Sequence, residues 1–233
     1  MSSPYAMPET TPLPPQPAAT VILLRAAATG FEVLLLKRAR ELAFAPDNWV
    51  FPGGRIDAHD APRHPRESLP AAKAAAARET REEAGLQVDS ERFLLWSHWL
   101  TPAGKSRRFS TWFLLGDVGF DQSVEVDQGE IVEARWLTPA AALARQQRGD
   151  LRVLPPTLIT LQELAALDSI DAARAFCQDR QPPAYKPRLI VADEQTISAY
   201  EDDCAYLSGD PHSQGPRHRS VMINGIWHYV RQP

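Results

Sequence analysis

Hydrophobic residues recur at strand-like and helix-like spacings along this chain, and the two spacings predict its elements. Near the N-terminus, the β-branched and leucine-rich runs ATVILLRA (19–26) and FEVLLLKR (31–38) flank a short turn, which predicts two paired strands. The segment NWVFPGGRID (48–57) is typical of a strand that runs into a Gly-Gly turn. Aromatic and β-branched runs predict three later strands, within 92–102, 107–118 and 130–137.

The segment PAAKAAAARETREEAG (70–85) predicts the strongest helix, because alanine favours helices and Gly85 stands where a helix commonly ends. A second helix is predicted to begin at Thr138 as N-cap with Pro139 in its first position, and to end near Gly149.

The last third of the chain continues the mixed pattern. Residues 155–180 predict one or two helices, with Asp168 or Ser169 capping a restart, and Asn224-Gly225 predicts a two-residue hairpin turn. Residues 1–17 hold six prolines and little to bury, so we predict a disordered tail there. We therefore expect one α/β domain over 18–233, with a core to about residue 150 and a helical and β-hairpin extension over 151–233.

Composition and charge narrow the choice of function. The net charge is −4 and no basic stripe appears, so a nucleic-acid partner is not expected. No run of 18 apolar residues and no signal-peptide pattern is present, and two cysteines suggest no disulfide framework. These observations predict a cytoplasmic protein with no membrane partner.

Three glutamates crowd one side of the alanine-rich helix. At about 100° per residue, Glu79, Glu82 and Glu83 fall within an arc of roughly 100°. Like charges at these spacings repel by roughly 0.2–0.5 kcal/mol per pair. A hard divalent cation such as Mg²⁺ prefers oxygen ligands and would offset that repulsion. The cluster therefore predicts a metal site next to the Gly-Gly turn.

The same residues resemble the Nudix hydrolase signature, G-x5-E-x7-R-E-U-x-E-E-x-G-U, where U is a bulky apolar residue. Residues 78–86 (RETREEAGL) match its second half, with Thr80 a weak fit to U, and Gly54 matches its first glycine. About ten residues are inserted between Gly54 and Arg78. The glutamate expected eight positions before Arg78 falls on Pro70, so the first half departs from the signature and 58–70 is expected to form a loop at the site.

The resemblance implies a Nudix-type α/β/α sandwich with a mixed sheet, and hydrolysis of a nucleoside diphosphate linked to another group. It implies Mg²⁺ or Mn²⁺ as cofactor. The implied metal ligands are Glu79, Glu82, Glu83 and the backbone carbonyl of Gly54. Arg78 would fix the carboxylates, and the base that activates water would be Glu82 or, alternatively, Glu130.

Two further segments resemble the coenzyme A diphosphatase branch of the family. Arg38 and Phe51 fall in register with its LL-x-x-R and FPGG motifs, and Arg108 lies in a segment similar to one in acyl-CoA-cleaving relatives. These three residues are expected to bind substrate, and coenzyme A or acyl-CoA would give 3′,5′-ADP and a 4′-phosphopantetheine product. The alternatives are an ADP-ribose or dinucleotide pyrophosphatase and a non-catalytic ligand-sensing Nudix domain. A homodimer is implied by the family and left open by the sequence.

Overall fold

The strands of the chain form two sheets. The computed structural model describes residues 14–104, 107–119, 121–192 and 195–233. The strands of the first sheet are β1 (Gln16–Ala26), β2 (Phe31–Arg38), β3 (Trp49–Val50), β4 (Gly53–Arg55), β5 (Leu94–Leu100), β6 (Phe109–Asp117), β7 (Ile131–Leu137) and β8 (Ala184–Tyr185). The order is β3-β2-β1-β6-β5-β8, with β4 paired to β1 and β7 paired to β2. The β1–β6 and β5–β8 pairs are parallel and the others antiparallel, so the sheet is mixed as expected.

Helices cover both faces of this sheet. They are α1 (Leu69–Ala84), α2 (Pro139–Gln147), α3 (Pro155–Ala165), α4 (Ile170–Gln178) and the short α5 (Ala205–Ser208). The alanines of α1 pack on Val21 and Leu114 on one face. On the other face, three leucines and Ile159 of α3 join Ile22 and Leu35 in the largest core cluster. The resulting three layers are the sandwich that the sequence predicts.

The C-terminal extension contains a second sheet of four antiparallel strands. Its strands are β9 (Arg188–Ala192), β10 (Gln195–Ala199), β11 (Arg217–Ile223) and β12 (Ile226–Gln232), in the order β12-β11-β10-β9. The predicted hairpin is confirmed, since Asn224 and Gly225 have φ angles of 51° and 78°, as a type I′ turn requires. Strand β10, which pairs with this hairpin, and strand β9, which pairs with β10, were not predicted.

An aromatic cluster joins the two sheets. The ring of Trp99 in β5 stacks on Tyr185 in β8 with centroids 3.9 Å apart, and Tyr200, which follows β10, packs edge-on against both. Gln146 of α2 is buried and donates a hydrogen bond of 2.8 Å to the carbonyl of Trp227 in β12. The extension is therefore part of the packed core.

The predicted start of the domain needs a correction. Strand β1 begins at Gln16, because Gln16 and Pro17 pair with Phe109 and Ser110 of β6, so the predicted tail is two residues too long. Residues 1–13 of that tail lie outside the described residues. Within the described residues, no helix combines the length and the apolar character needed to cross a bilayer.

Candidate active site

Helix α1 delivers the three glutamates to the Gly-Gly turn. Ser68 caps its N-terminus and Pro70 fits the first turn, while Gly85 ends it with a φ of 69° and donates to the Arg81 carbonyl. Thr80, the weak fit to the apolar signature position, is fully buried and donates its hydroxyl to the Ala76 carbonyl at 2.7 Å. Its polar group is therefore satisfied within the helix.

Two glycines lie directly against the carboxylates. The amide of Gly53 donates to Glu83 Oε2 at 2.9 Å. At Gly54, a Cβ atom would lie 2.6 Å from the carboxyl carbon of Glu79, a distance that real Cβ atoms do not reach. The absence of a side chain at Gly54 thus lets Glu79 approach the backbone of β4.

Glu83 is the most buried carboxylate of the group, with 5% of its surface exposed. The pKa of Glu83 is raised to about 8, mainly by burial, and the negative charges of Glu79 and Glu130 act in the same direction. The hydrogen bond from Gly53 and the charge of Arg38 act in the opposite direction. Burial also raises the pKa of Glu79.

Arg78 connects the other two glutamates. Its Nη1 lies 2.9 Å from Glu79 Oε1 and 2.9 Å from Glu82 Oε2. Its Nη2 donates to the Arg55 carbonyl at 3.0 Å. The pairing that the sequence assigned to Arg78 is therefore present, and one guanidinium offsets the repulsion between Glu79 and Glu82.

Asp60 binds the opposite side of the same guanidinium, although the sequence did not identify Asp60 as a site residue. Its carboxylate accepts from Arg78 Nε at 2.7 Å and Nη2 at 3.1 Å, and its side chain is only 2% exposed. Burial raises the pKa of Asp60, but the hydrogen bonds from Arg78 and the Asp57 amide lower it more, so the pKa lies below its usual value.

The signature points to Asp60 only when its positions are counted forwards from its first glycine, Gly54. Counted backwards from Arg78, the acidic position of the signature falls on Pro70. Counted forwards from Gly54, five residues lead to Asp60. The extra ten residues thus follow Asp60, and the first half of the signature is intact with aspartate in place of glutamate.

Arg38 and Glu130 lie at the edge of this group. Arg38 Nη2 is 3.6 Å from Glu130 Oε2, and the Arg38 side chain is 14% exposed against 62% for Glu130. The amides of Glu130 and Ile131 bind the side chain of Asp127, which fixes the loop before β7. The turn of α1, the Gly-Gly turn and this loop thus meet at one end of the sheet.

A family model described as the NUDIX domain matches residues 14–156, which is more than half of the chain. The chain belongs to the Nudix family. It is 24% identical to "Putative nudix hydrolase 7" of Caenorhabditis elegans, an alignment that covers 88% of this chain and 79% of the relative. It is also 24% identical to "Acyl-coenzyme A diphosphatase NUDT19" of Xenopus laevis, with 84% and 76% covered.

A solved structure supports the fold. The crystal structure of a Nudix hydrolase from Alicyclobacillus acidocaldarius aligns with a TM-score of 0.63 and 23% identity, covering 70% of this chain and 96% of that one. The C. elegans alignment spans more of this chain than the family model does. It therefore reaches into the extension after residue 156.

The donors expected for the Nudix metal fit by type but are not assembled into one cluster. Carboxylate oxygens are the ligands that Mg²⁺ and Mn²⁺ prefer, and Glu79, Glu82 and Glu83 supply such oxygens. Across the part of the chain that the structure describes, no three acidic, histidine or cysteine side chains lie close enough to hold a metal ion. Glu79 and Glu82 are held by Arg78, while Glu83 is held by Gly53.

Two predicted substrate-binding residues make contacts with other parts of the chain. Phe51 is 3% exposed and packs edge-on against Phe113 in the core, with ring centroids 6.3 Å apart. The ring of Phe51 therefore packs in the core, and its role in substrate binding stays a prediction. Arg108 is half-buried before β6, where its Nε donates to the Thr101 carbonyl at 3.2 Å.

Proposed function

We propose that this Nudix hydrolase cleaves the pyrophosphate bond of a nucleoside diphosphate-linked substrate, with coenzyme A or acyl-CoA preferred. The observation that carries the proposal is the contact of the C-terminal part of α1 with the Gly-Gly turn. Three glutamates, Arg78 and Asp60 lie at this contact. Cleavage of coenzyme A at this bond gives 3′,5′-ADP and 4′-phosphopantetheine. The resemblance to an acyl-coenzyme A diphosphatase over most of the chain supports this choice of substrate.

We propose Glu79, Glu82, Glu83 and the carbonyl of Gly54 as the groups that hold Mg²⁺ or Mn²⁺. Bound there, the metal would neutralise charge on the phosphate oxygens and lower the pKa of a bound water. Glu82 is the freest of the three glutamates, since its side chain is 52% exposed and contacts only Arg78 Nη1.

The group that accepts the proton from the attacking water is Glu82 or Glu130. Both are exposed carboxylates at the edge of the buried pair Glu79–Glu83, where a proton can pass to solvent. Arg38, beside Glu130, carries a positive charge suited to the pyrophosphate. The proposed cytoplasmic location and homodimer stay predictions.

A substrate panel tests the proposal. The full chain is incubated with Mg²⁺ or Mn²⁺ and coenzyme A, acetyl-CoA, ADP-ribose or a diadenosine polyphosphate, and products are identified by mass spectrometry. We expect 3′,5′-ADP from the two coenzyme A compounds at the highest rate. Much faster turnover of ADP-ribose or the dinucleotide would refute the coenzyme A preference, and no turnover of any compound would indicate a ligand-sensing domain.

Matched glutamate variants separate the site from general charge effects. Glu83→Gln is expected to remove most turnover, because it takes the charge from the most buried carboxylate of the group. Glu67→Gln changes an exposed glutamate of the inserted loop and should leave turnover unchanged. Equal activity in the two variants would contradict the proposed metal site.

A further inference from the structure

An aromatic pair lies next to the proposed site, and nothing derived so far uses it. Phe44 lies in the loop between β2 and β3, and Phe109 is the first residue of β6. Their rings pack edge-to-face with centroids 5.0 Å apart and an interplanar angle of 70°. Both residues are half-buried, so each leaves part of its surface open.

A single side chain connects this pair to the carboxylates. Arg38 Nε donates to the Phe44 carbonyl at 3.1 Å, while Nη2 of the same guanidinium lies 3.6 Å from Glu130. The pair is therefore one guanidinium away from the proposed site of hydrolysis.

The backbone that follows Phe44 is held in an unfavourable conformation. Ala45 and Asp47 have φ angles of 48° and 57°, in the left-handed region that non-glycine residues seldom adopt. Alanine has no side-chain group to compensate for this conformation. It persists because the loop is tied down, with Asn48 N donating to the Ala45 carbonyl and Lys37 pairing with Asp47 at 3.2 Å. Strain of this kind is concentrated where a group must be aimed at a ligand.

Strand register places a free cationic residue on the same face of the sheet as Phe109. Arg55 of β4 lies opposite Ala18 of β1, and Ala18 lies opposite Thr111 of β6. Residues opposite each other share a face, and Phe109 lies two positions before Thr111 on that face. With strands about 4.8 Å apart and about 3.3 Å per residue, the Cα atoms of Arg55 and Phe109 are roughly 12 Å apart.

Arg55 is available for a ligand. Its residue is exposed, and its side chain makes no hydrogen bond or ion pair with the described residues. Its carbonyl accepts from Arg78, so Arg55 lies directly beside the carboxylate helix. The separation of roughly 12 Å suits a nucleotide that reaches from a base to its phosphate groups.

We propose that Phe44 and Phe109 form the nucleobase subsite of this enzyme and that Arg55 binds a phosphate group of the same nucleotide. The inference rests on the proposed function and names the part of the substrate that the pair recognises. An aromatic face stacks on any base, and a guanidinium suits a phosphate oxygen pair. The base is thus held on the side of the sheet opposite α1, with the diphosphate directed to the carboxylates.

Binding of two probes to the full chain tests the assignment. Affinities for ADP and for inorganic pyrophosphate are measured by calorimetry, with Mg²⁺ and again with EDTA. Phe44→Ala is expected to weaken ADP binding about tenfold or more and to leave pyrophosphate binding unchanged, because only ADP carries a base. Phe44→Trp is expected to restore ADP binding. Arg55→Ala is expected to weaken the binding of both probes.

Arg63→Ala is the matched control, since Arg63 is an exposed arginine of the inserted loop with no partner among the described residues. Thermal melting of each variant separates lost binding from lost folding. Wild-type ADP affinity in Phe44→Ala, or equal losses for both probes in that variant, would overturn the inference. Absence of any hydrolysis by the wild type, with ADP binding still dependent on Phe44, would refute the proposed function and leave the subsite standing.

Discussion

At the scale of single residues, Arg78 offsets part of the repulsion between the crowded glutamates of α1. From sequence, a divalent cation was the expected compensation for their repulsion. In the structure, Arg78 Nη1 already bridges Glu79 and Glu82, and the most buried carboxylate, Glu83, is left to a single backbone amide. Of the three glutamates, Glu83 alone makes no hydrogen bond to Arg78 among the described residues, so a bound cation would stabilise its charged form.

Asp60 gives the first prediction at this scale. Asp60→Asn keeps the shape of the side chain but removes the charge that pairs with Arg78. We expect the free energy of unfolding to fall by about 1.5–3 kcal/mol, the range for hydrogen bonds to charged groups. Turnover should fall as well, because Arg78 loses its fixed orientation. Urea unfolding and product formation measure the two effects.

Asp57→Asn is the control for this change. Asp57 is a neighbour whose side chain makes no hydrogen bond or ion pair with the described residues, since it binds Asp60 through its backbone amide and carbonyl. Stability and turnover should stay near the wild-type values in Asp57→Asn. If both aspartate variants behaved alike, the Asp60–Arg78 pair would have no special role.

Gly54 gives the second prediction. In Gly54→Ala, the new Cβ overlaps the carboxyl group of Glu79, while the backbone of Gly54 needs no glycine conformation. We expect Glu79 to move and turnover to fall at least tenfold, with a smaller loss of stability. Steady-state kinetics and thermal melting check this. Unchanged turnover would mean that the position of Glu79 does not matter for the reaction.

At the scale of elements, strong local patterns were predictable and short paired segments were not. Helix α1, the strands β1 and β2 and the hairpin β11–β12 follow from alanine content, β-branched runs and the Asn-Gly turn. Strand β8 consists of two residues in the proline-rich segment QPPAYKP, and it is defined by its pairing with β5. Such a strand exists through tertiary pairing, which local sequence does not encode.

The candidate site likewise has residues that the sequence located and residues that it did not. The signature located Arg78, Glu79, Glu82 and Glu83 because fixed helical spacing puts them on one face. Asp60 stands at the fixed spacing from Gly54, but the number of residues between Asp60 and Arg78 is not fixed, so the pairing of the two side chains became visible only in three dimensions. The motif that contains Phe51 matches in sequence, but it did not show that the ring of Phe51 is buried.

At the scale of the whole molecule, the segment matched by the family model lacks part of its core. Helix α3 contributes Leu158, Ile159, Leu161 and Leu164, each at most 2% exposed. Burying one such side chain stabilises a protein by roughly 1.5–3 kcal/mol. The four together are therefore comparable to the typical net stability of a domain, about 5–15 kcal/mol.

Truncation after Leu154 tests this dependence. We expect the shortened chain, which keeps the whole proposed site, to lose cooperative thermal unfolding and to aggregate. Circular dichroism during heating and size-exclusion chromatography measure both properties. A cooperative transition near that of the full chain would show that the extension is an independent addition.

The buried pair of Asp203 and Arg219 predicts how stability depends on pH. Asp203 has no exposed side-chain surface and accepts hydrogen bonds from the amides of Ala205 and His218 and from the Arg219 guanidinium. Burial raises the pKa of Asp203, but these hydrogen bonds lower it more, so its folded-state pKa lies below the unfolded value of about 3.9. Its contribution is therefore complete above pH 3.9 and is lost as the pH falls through the folded-state pKa.

Thermal melting across pH 2–7 measures this contribution. Wild-type stability should fall below about pH 4, the unfolded-state pKa of an aspartate. Asp203→Asn should be less stable at neutral pH by about 3–5 kcal/mol, because it leaves Arg219 buried without its charge partner. Its stability should also change less with pH in the acid range. Parallel pH curves for the two proteins would assign the acid sensitivity to other carboxylates.

The extra residues after Asp60 show what the fold of this active site preserves. Between Asp60 and Arg78 lie residues 61–77, which number 17 where the signature has seven, yet the two side chains still meet at 2.7 Å. Residues 61–68 lead from Asp60 to α1, and residues 69–77 already lie in that helix. The contact between Asp60 and Arg78 is thus kept, although the number of residues between them differs from the signature. A sequence search that requires seven residues between the acidic position and the arginine would miss this pair. A search that allows an insertion between the two charged residues would include it.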